Sequence, residues 1–357
     1  MKIGIITFHF ADNYGAVLQA YALKSFLQDN NAYDVEIINY ISDHFKNAYN
    51  INPCIQKTLT SIGRALLKYP IRKLQHNKFD RFRDCELSVN KKAVTNLSNI
   101  CYDVIVVGSD QVWNFDITDK DINYFIPIHG VNKIAYAASS SNDFISGDYR
   151  TKIKELLSDF GAISVRENNL KDIIERDYQI SCELVLDPVF LMPRSFWHNL
   201  ENRPVKIDDN YILVYALEKN VKLEKTARIL SETTGCQIIV VHPLLTHVFS
   251  VGKLLTNVGP KDFLWLIENS QFVVSNSFHA FAFSMIFRKE MYFDYVKNTS
   301  SRVASLIDNF NIPVEYVEEF GTYHSIFNFD DNSLYEKIQS SKDFLIESIN
   351  ARAVDAR

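Results

Sequence analysis

Runs of β-branched and aliphatic residues recur along the chain, each followed by a polar turn and then a helical pattern. Ile3 to Phe8 reads as a buried strand, and Ala16 to Gln28 as a helix with apolar Val17, Ala20, Leu23 and Leu27. Val35 to Asn39 completes a βαβ unit. Further strands are expected at Tyr102 to Val107, Lys133 to Ala138 and Phe160 to Val165. They end in the polar groups Gly108 to Asn114, Ser139 to Ser141 and Arg166 to Asn168. After the polar run Asn199 to Asn210 the alternation restarts, with a strand at Tyr211 to Leu217, a helix at Val221 to Thr233 and a strand at Gln237 to Val241. Gly259 and Pro260 open another helix. A strand at Met291 to Tyr295 and a terminal amphipathic helix over 332–350 close the pattern.

The stretch that organises the rest is Phe272 to Phe287. Phe272 to Ser275 has the apolar character of a buried parallel strand, Asn276 and Ser277 are turn and N-cap residues, and Phe278 to Phe287 is apolar nearly all round. His279 thus falls in the first turn of a buried helix that follows a strand. Unpaired N–H groups and the positive end of the helix dipole make that position an anion site. An imidazole there can donate to an oxyanion or move a proton near neutral pH. The alternative is a buried histidine satisfied by a backbone carbonyl.

Strands alternating with helices in both halves point to an α/β fold of two domains facing one another across a cleft. The expected division is 1–198, 199–330 and a C-terminal helix over 331–357. Loops at the carboxyl ends of strands are where ligands bind in such sheets. Asn13, Tyr14 and Gly15 follow the first strand, as a substrate contact or a plain helix-opening turn. Asp110, Gln111 and Trp113 offer hydrogen bonds and a stacking face at a second strand end. Arg166, at a third, can hold a carboxylate or phosphate in bidentate fashion or pair with Glu167.

Composition narrows the function classes. A chain of 357 residues exceeds one compact core, which agrees with two domains. A net charge of −5 gives no basic field for nucleic acid. The cysteines, Cys54, Cys85, Cys101, Cys182 and Cys236, have no CxxC spacing, which argues against a zinc site or a disulfide framework. No Asp/His/Cys group has metal-ligand spacing, so no metal is expected. The first apolar run is too short for a signal peptide and no run would span a membrane, so a cytoplasmic protein is expected. Residues 51–90 stand apart as a basic insertion. Eight Lys or Arg and one acid, Asp80, lie between Lys57 and Arg83, interleaved with Ile62, Leu66, Leu67, Ile71, Leu74 and Phe79. This is either a solvated helical face or one that rests on an anionic membrane.

Five blocks, Ile6 to Leu23, Val107 to Asn114, Ile163 to Asn168, Val185 to Met192 and Ser275 to Phe287, together resemble the polysaccharide pyruvyl transferase family. The resemblance implies a GT-B-like fold, two Rossmann-like domains with the active site between them. It also implies phosphoenolpyruvate as donor and a sugar in a cell-surface polysaccharide as acceptor. No cofactor beyond this co-substrate is expected, and if the basic stretch rests on a membrane it would draw the protein to a lipid-linked oligosaccharide acceptor at the inner face. His279 matches the family histidine, the candidate proton carrier, and Arg166 the arginine of its SVR element. Arg302 lies where a basic residue precedes the last domain helix; with Ser277 and Phe278 it is expected on the donor. Asn13, Tyr14, Gly15, Asp110, Gln111 and Trp113 are expected on the acceptor. The chain has Ser277-Phe278-His279 where better-studied members have Arg-Leu-His, and Ala280-Phe281 in place of Gly-Thr, which is expected to narrow the pocket. Two other readings remain open: a glycosyltransferase of the same architecture that uses a nucleotide sugar, and a non-catalytic sugar- or anion-binding module.

Overall fold

The computed structural model describes residues 1–31, 33–52, 59–89, 93–140, 144, 147–204, 207, 210–242, 250–295, 300–328 and 331–355. Cys54, Lys57 and Ser141 lie outside the described residues. The first half runs β1 (Lys2–Ile6), α1 (Tyr14–Asn31), β2 (Asp34–Ile37), α2 (Asp43–Ala48) and α3 (Leu59–Phe82). It continues through β3 (Val104–Val107), α4 (Phe115–Thr118), β4 (Asn132–Ala138), α5 (Arg150–Ser158) and β5 (Ala162–Val165). It closes with α6 (Asn168–Ile173), β6 (Glu183–Leu184) and α7 (Arg194–Leu200). The second half runs β7 (Tyr211–Tyr215), α8 (Val221–Thr234), β8 (Gln237–Val241), β9 (Lys253–Leu255) and α9 (Pro260–Glu268). Then come β10 (Phe272–Ser275), α10 (Phe278–Phe287), β11 (Met291–Phe293) and α11 (Ser300–Phe310). The last elements are β12 (Glu315–Val317), β13 (Thr322–Ser325) and α12 (Asp331–Asp355).

The first sheet has the order β2-β1-β3-β4-β5-β6, and all its pairings are parallel. Its strands are short β-branched runs because both faces are covered. Successive side chains serve different cores: Val104 and Val106 join one apolar cluster, Ile105 and Val107 the other. The second sheet has the order β12-β13-β11-β10-β7-β8-β9, parallel except at β12 and β13. Here Tyr211, Leu213 and Tyr215 enter the same cluster as Val104 and Val106, so one apolar layer joins the two sheets. Tyr14 stacks on Phe263 within it, ring centroids 4.4 Å apart.

Among its parallel strands each sheet reverses its order once. In the first this happens between β1 and β3, and in the second between β7 and β10. Ligands of open α/β sheets bind outside the strand ends at such a reversal. The segments there are Thr7 to Asn13 and Gly108 to Asn114 in the first unit, and Asn276 and Ser277 in the second. The chain end returns to the first unit: Leu186 N–H donates to Ser341 Oγ at 3.0 Å, and Tyr33 Oη to Asn350 Oδ1 at 3.1 Å. Two parallel α/β units with opposed reversal points and a returning last helix form the GT-B-like arrangement.

Candidate active site

α10 begins at the reversal point of the second sheet, where Ser277 caps it by accepting from Ala280 N–H at 3.5 Å. His279 therefore projects from the first turn toward the first unit, with 7% of its surface exposed. It meets the first turn of α1. A Cβ on Gly15 would lie 2.0 Å from His279 Nδ1 and 2.3 Å from Cγ, so only glycine admits the imidazole. On its other side, His279 Nε2 lies 3.7 Å from Asp187 Oδ2 and makes no hydrogen bond among the described residues. That separation is too long for a hydrogen bond and short enough for a strong ionic interaction with an imidazolium.

Asp187 is 1% exposed and heavily engaged. Its Oδ1 accepts from Val189 N–H at 3.2 Å; Oδ2 accepts from Arg166 Nη1 and lies 3.0 Å from Ser109 Oγ. Burial works to raise its pKa, yet the adjacent His279 and Arg166 outweigh burial and hold the carboxyl below the usual range. Arg166 Nη2 also reaches Asp110 Oδ1 at 3.3 Å. Burial opposes the Arg166 charge, but Asp187, Asp110 and Glu167 more than compensate. Glu167 is buried beside Arg166 and accepts from Ser139 Oγ; burial raises its pKa against the pull of Arg166 and Arg302.

Arg302 reaches the same place from α11 of the second unit. Both guanidiniums lie over the Phe278 ring, Arg166 Cζ at 4.6 Å from its centroid and Arg302 Cζ at 5.7 Å. Burial, and then repulsion from Arg166, bring the Arg302 pKa down to about 10. With its amide oxygen turned toward Arg302, Gln111 accepts from Nη2 at 2.9 Å. The structure thus gathers His279, Arg166, Arg302, Phe278, Asp110 and Gln111 around one seam. A cavity of about 80 Å³ opens beside it, lined by Arg166, Asp187, Phe278 and the α12 residues Lys337 and Ser341, among others.

Other expected site residues have different duties. Tyr14 is fully buried; its hydroxyl donates to Val258 O at 3.1 Å and accepts from Gln75 Nε2 at 3.0 Å. Trp113 is also fully buried, stacked on Phe125 at 5.3 Å with Nε1 donating to Tyr124 O. Neither presents a ring face to a ligand, because each ring is worth more as core area than as exposed surface. Asn13 accepts from Ala16 N–H at 3.2 Å, the plain helix-opening turn. Gly15 makes room for His279. Ser277 spends its hydroxyl on the cap. Phe281 turns into the core against Phe293 and Phe327, at 5.2 and 5.1 Å, and does not line the cavity beside His279. Sequence reasoning assigned Asp187 no role, although it lies in the block Val185 to Met192 and is a carboxylate inside an apolar run, where an unpaired charge would be costly.

For metal binding, one group among the described residues brings ligand atoms within 4.8 Å of one another: His198, Glu201 and Glu268. Arg194 Nη2 at 2.7 Å and His198 Nδ1 at 3.0 Å already neutralise Glu268, so an ion-pair network accounts for it.

Residues 13–293 match the family described as polysaccharide pyruvyl transferase. The chain belongs to that family. The match spans both reversal points and contains Gly15, Asp110, Arg166, Asp187 and His279, leaving Arg302 beyond its end. No curated protein matches the sequence. Among solved structures, the chain is similar to the UDP-GlcNAc 2-epimerase of Neisseria meningitidis bound to UDP-GlcNAc. The two are 11% identical over 98% of this chain and 99% of that one, with a TM-score of 0.48. It is also similar to the UDP-GlcNAc 2-epimerase of Methanocaldococcus jannaschii, at 15% identity over 86% and 92% of the chains and a TM-score of 0.42. A third is the E. coli heptosyltransferase WaaC with ADP, at 11% identity over 86% and 97% and a TM-score of 0.38. For a polysaccharide pyruvyl transferase, a polysaccharide or sugar acceptor follows from the family itself.

Proposed function

We propose that this family member transfers pyruvate from phosphoenolpyruvate to two hydroxyls of a sugar in a cell-surface polysaccharide or its lipid-linked precursor, forming a ketal. The observation that carries the reading is the convergence of His279 with two buried guanidiniums at the amino end of α10. Phosphoenolpyruvate bears a carboxylate and a phosphate, which need fixed positive groups. Arg302 and the α10 N-terminus supply them on one side of the seam. Arg166, tied to Asp187 and Asp110, adds its charge from the other.

In the reaction the imidazolium of His279 gives its Nε2 proton to the methylene carbon, leaving an oxocarbenium-like centre at the carbon that bears the ester oxygen. One sugar hydroxyl adds there and returns its proton to His279 Nε2. A second hydroxyl attacks the same carbon and closes the ring, while phosphate leaves with the bonding electron pair and takes up that hydroxyl's proton. Asp187, buried 3.7 Å away, sets its carboxylate beside Nε2. This route calls for no metal.

The test is incubation with phosphoenolpyruvate and candidate lipid-linked or nucleotide sugars, following phosphate release and product mass. His279→Ala is expected to lower turnover by roughly 10²–10⁴ with the fold intact. Near-normal ketal formation by that variant would refute the role. Stabilisation by nucleotide sugars but not by phosphoenolpyruvate would favour glycosyl transfer, and stabilisation without product a binding module.

A further inference from the structure

The basic helix α3 has two unlike ends. Its carboxyl-terminal turns are fastened to the core: Gln75 donates to Tyr14 Oη, His76 Nδ1 pairs with Asp12 at 2.7 Å, and Phe79 packs on Tyr14 at 5.2 Å. Lys78 reaches across to Asp262 at 2.6 Å, so this end touches both units. The preceding turns do the opposite. Leu66, Leu67, Ile71 and Leu74 are 52%, 83%, 41% and 54% exposed. They are four of the eleven large exposed hydrophobics among the described residues, gathered within nine positions. Scattered apolar residues on a surface need no account, but a concentrated patch does. A merely solvated helical face would place polar residues there.

Helical spacing puts Leu67, Ile71 and Leu74 in one stripe, since they stand at i, i+4 and i+7. Lys68 and Lys73 fall about 100° to either side of that stripe. From Leu59 to Phe79 the sequence contains Arg64, Lys68, Arg72, Lys73 and Lys78 and no Asp or Glu. An apolar stripe between lysines matches a bilayer interface: aliphatic groups enter the acyl boundary while ammonium groups reach the headgroups. A symmetric dimer through this face would set the cationic patch against its own copy.

We propose that residues 63–74 of α3 dock this protein onto an anionic lipid surface. Leu67 stands eight residues before Gln75, about 12 Å along the helix, so docking holds the Tyr14 junction near the bilayer. The inference does not depend on the donor chemistry above, because its test reads binding alone.

The test is sedimentation of the full chain with vesicles of equimolar phosphatidylcholine and phosphatidylglycerol, against vesicles of phosphatidylcholine only. The wild type is expected to sediment with the first and hardly with the second. Raising salt from about 0.1 M to about 1 M, which shortens the screening length from about 10 Å to about 3 Å, should release it. Removing two charges in Lys68→Gln with Lys73→Gln should weaken binding roughly twenty-five-fold, at about fivefold per charge. Leu67→Ser with Leu74→Ser should also abolish sedimentation at unchanged melting temperature, since these side chains support no core. Equal sedimentation of wild type and both variants, or no binding to either vesicle, would overturn the proposal. So would a wild-type dimer that the leucine variant splits in solution while neither form binds lipid.

Discussion

At the scale of single residues, the site depends on one missing methyl group. Gly15 gives way to the imidazole of His279 across the seam, and any Cβ would occupy the same space. Gly15→Ala is therefore expected to displace His279 and lower turnover at least about 10²-fold. A donor Michaelis constant that moves far less would mark the loss as one of proton transfer, measured by phosphate release at saturating donor. A second residue sets the acid limit of the fold. His9 is buried, with Nε2 at 3.2 Å from Asn39 Oδ1, and burial lowers its pKa from 6.5 to about 4. The unfolded chain takes up this proton first, so the contribution is complete above pH 6.5 and is lost as pH falls toward 4. The loss amounts to roughly 3 kcal/mol. Urea unfolding of His9→Gln across that range should show a flatter pH dependence than the wild type.

At the scale of elements, much of the fold was legible in the sequence. Strand β10 and helix α10 occupy the residues read from composition alone, Phe272–Ser275 and Phe278–Phe287. Strand β8 does so at Gln237–Val241, and α8 ends at Gly235 in the left-handed region as a glycine stop should. Apolar runs between turn residues are local signals, and these elements obey local rules. The short strands β9, β12 and β13, at or next to the sheet edges, went unread: they are three to four residues long and partly exposed, with little apolar pattern to betray them. The site was half legible for a similar reason. His279 and Arg166 stand at element ends, where position has meaning. Asp187 meets residues 21 and 92 places away in sequence, and Tyr14 is buried by a partner 249 places on; no local pattern encodes such distances. The cap of α10 separates structure from chemistry. Ser277→Ala should cost about 0.5–1 kcal/mol in urea unfolding while leaving the donor Michaelis constant within a few-fold. A large rise in that constant would place the Ser277 hydroxyl on the donor after all.

At the scale of the whole molecule, the two sheets share an apolar layer that runs from Ile3 and Val106 to Leu213 and Val273. Phe263 sits in it against Tyr14 and Tyr215, at 4.4 and 4.8 Å. Units fused through so much common core are expected to unfold together, so heating should give one calorimetric transition with equal calorimetric and van 't Hoff enthalpies. Phe263→Ala should lower stability by about 3–5 kcal/mol and loosen both units at once. Two separate melts in the wild type would contradict this.

Asp187 belongs to the first sheet's half of the chain and His279 to the second's. The two side chains thus face each other like the jaws of a clasp, and neither half holds the pair alone. Because the layer behind them is common to both sheets, a substitution that shifts one half against the other should disturb this pair and the shared core together.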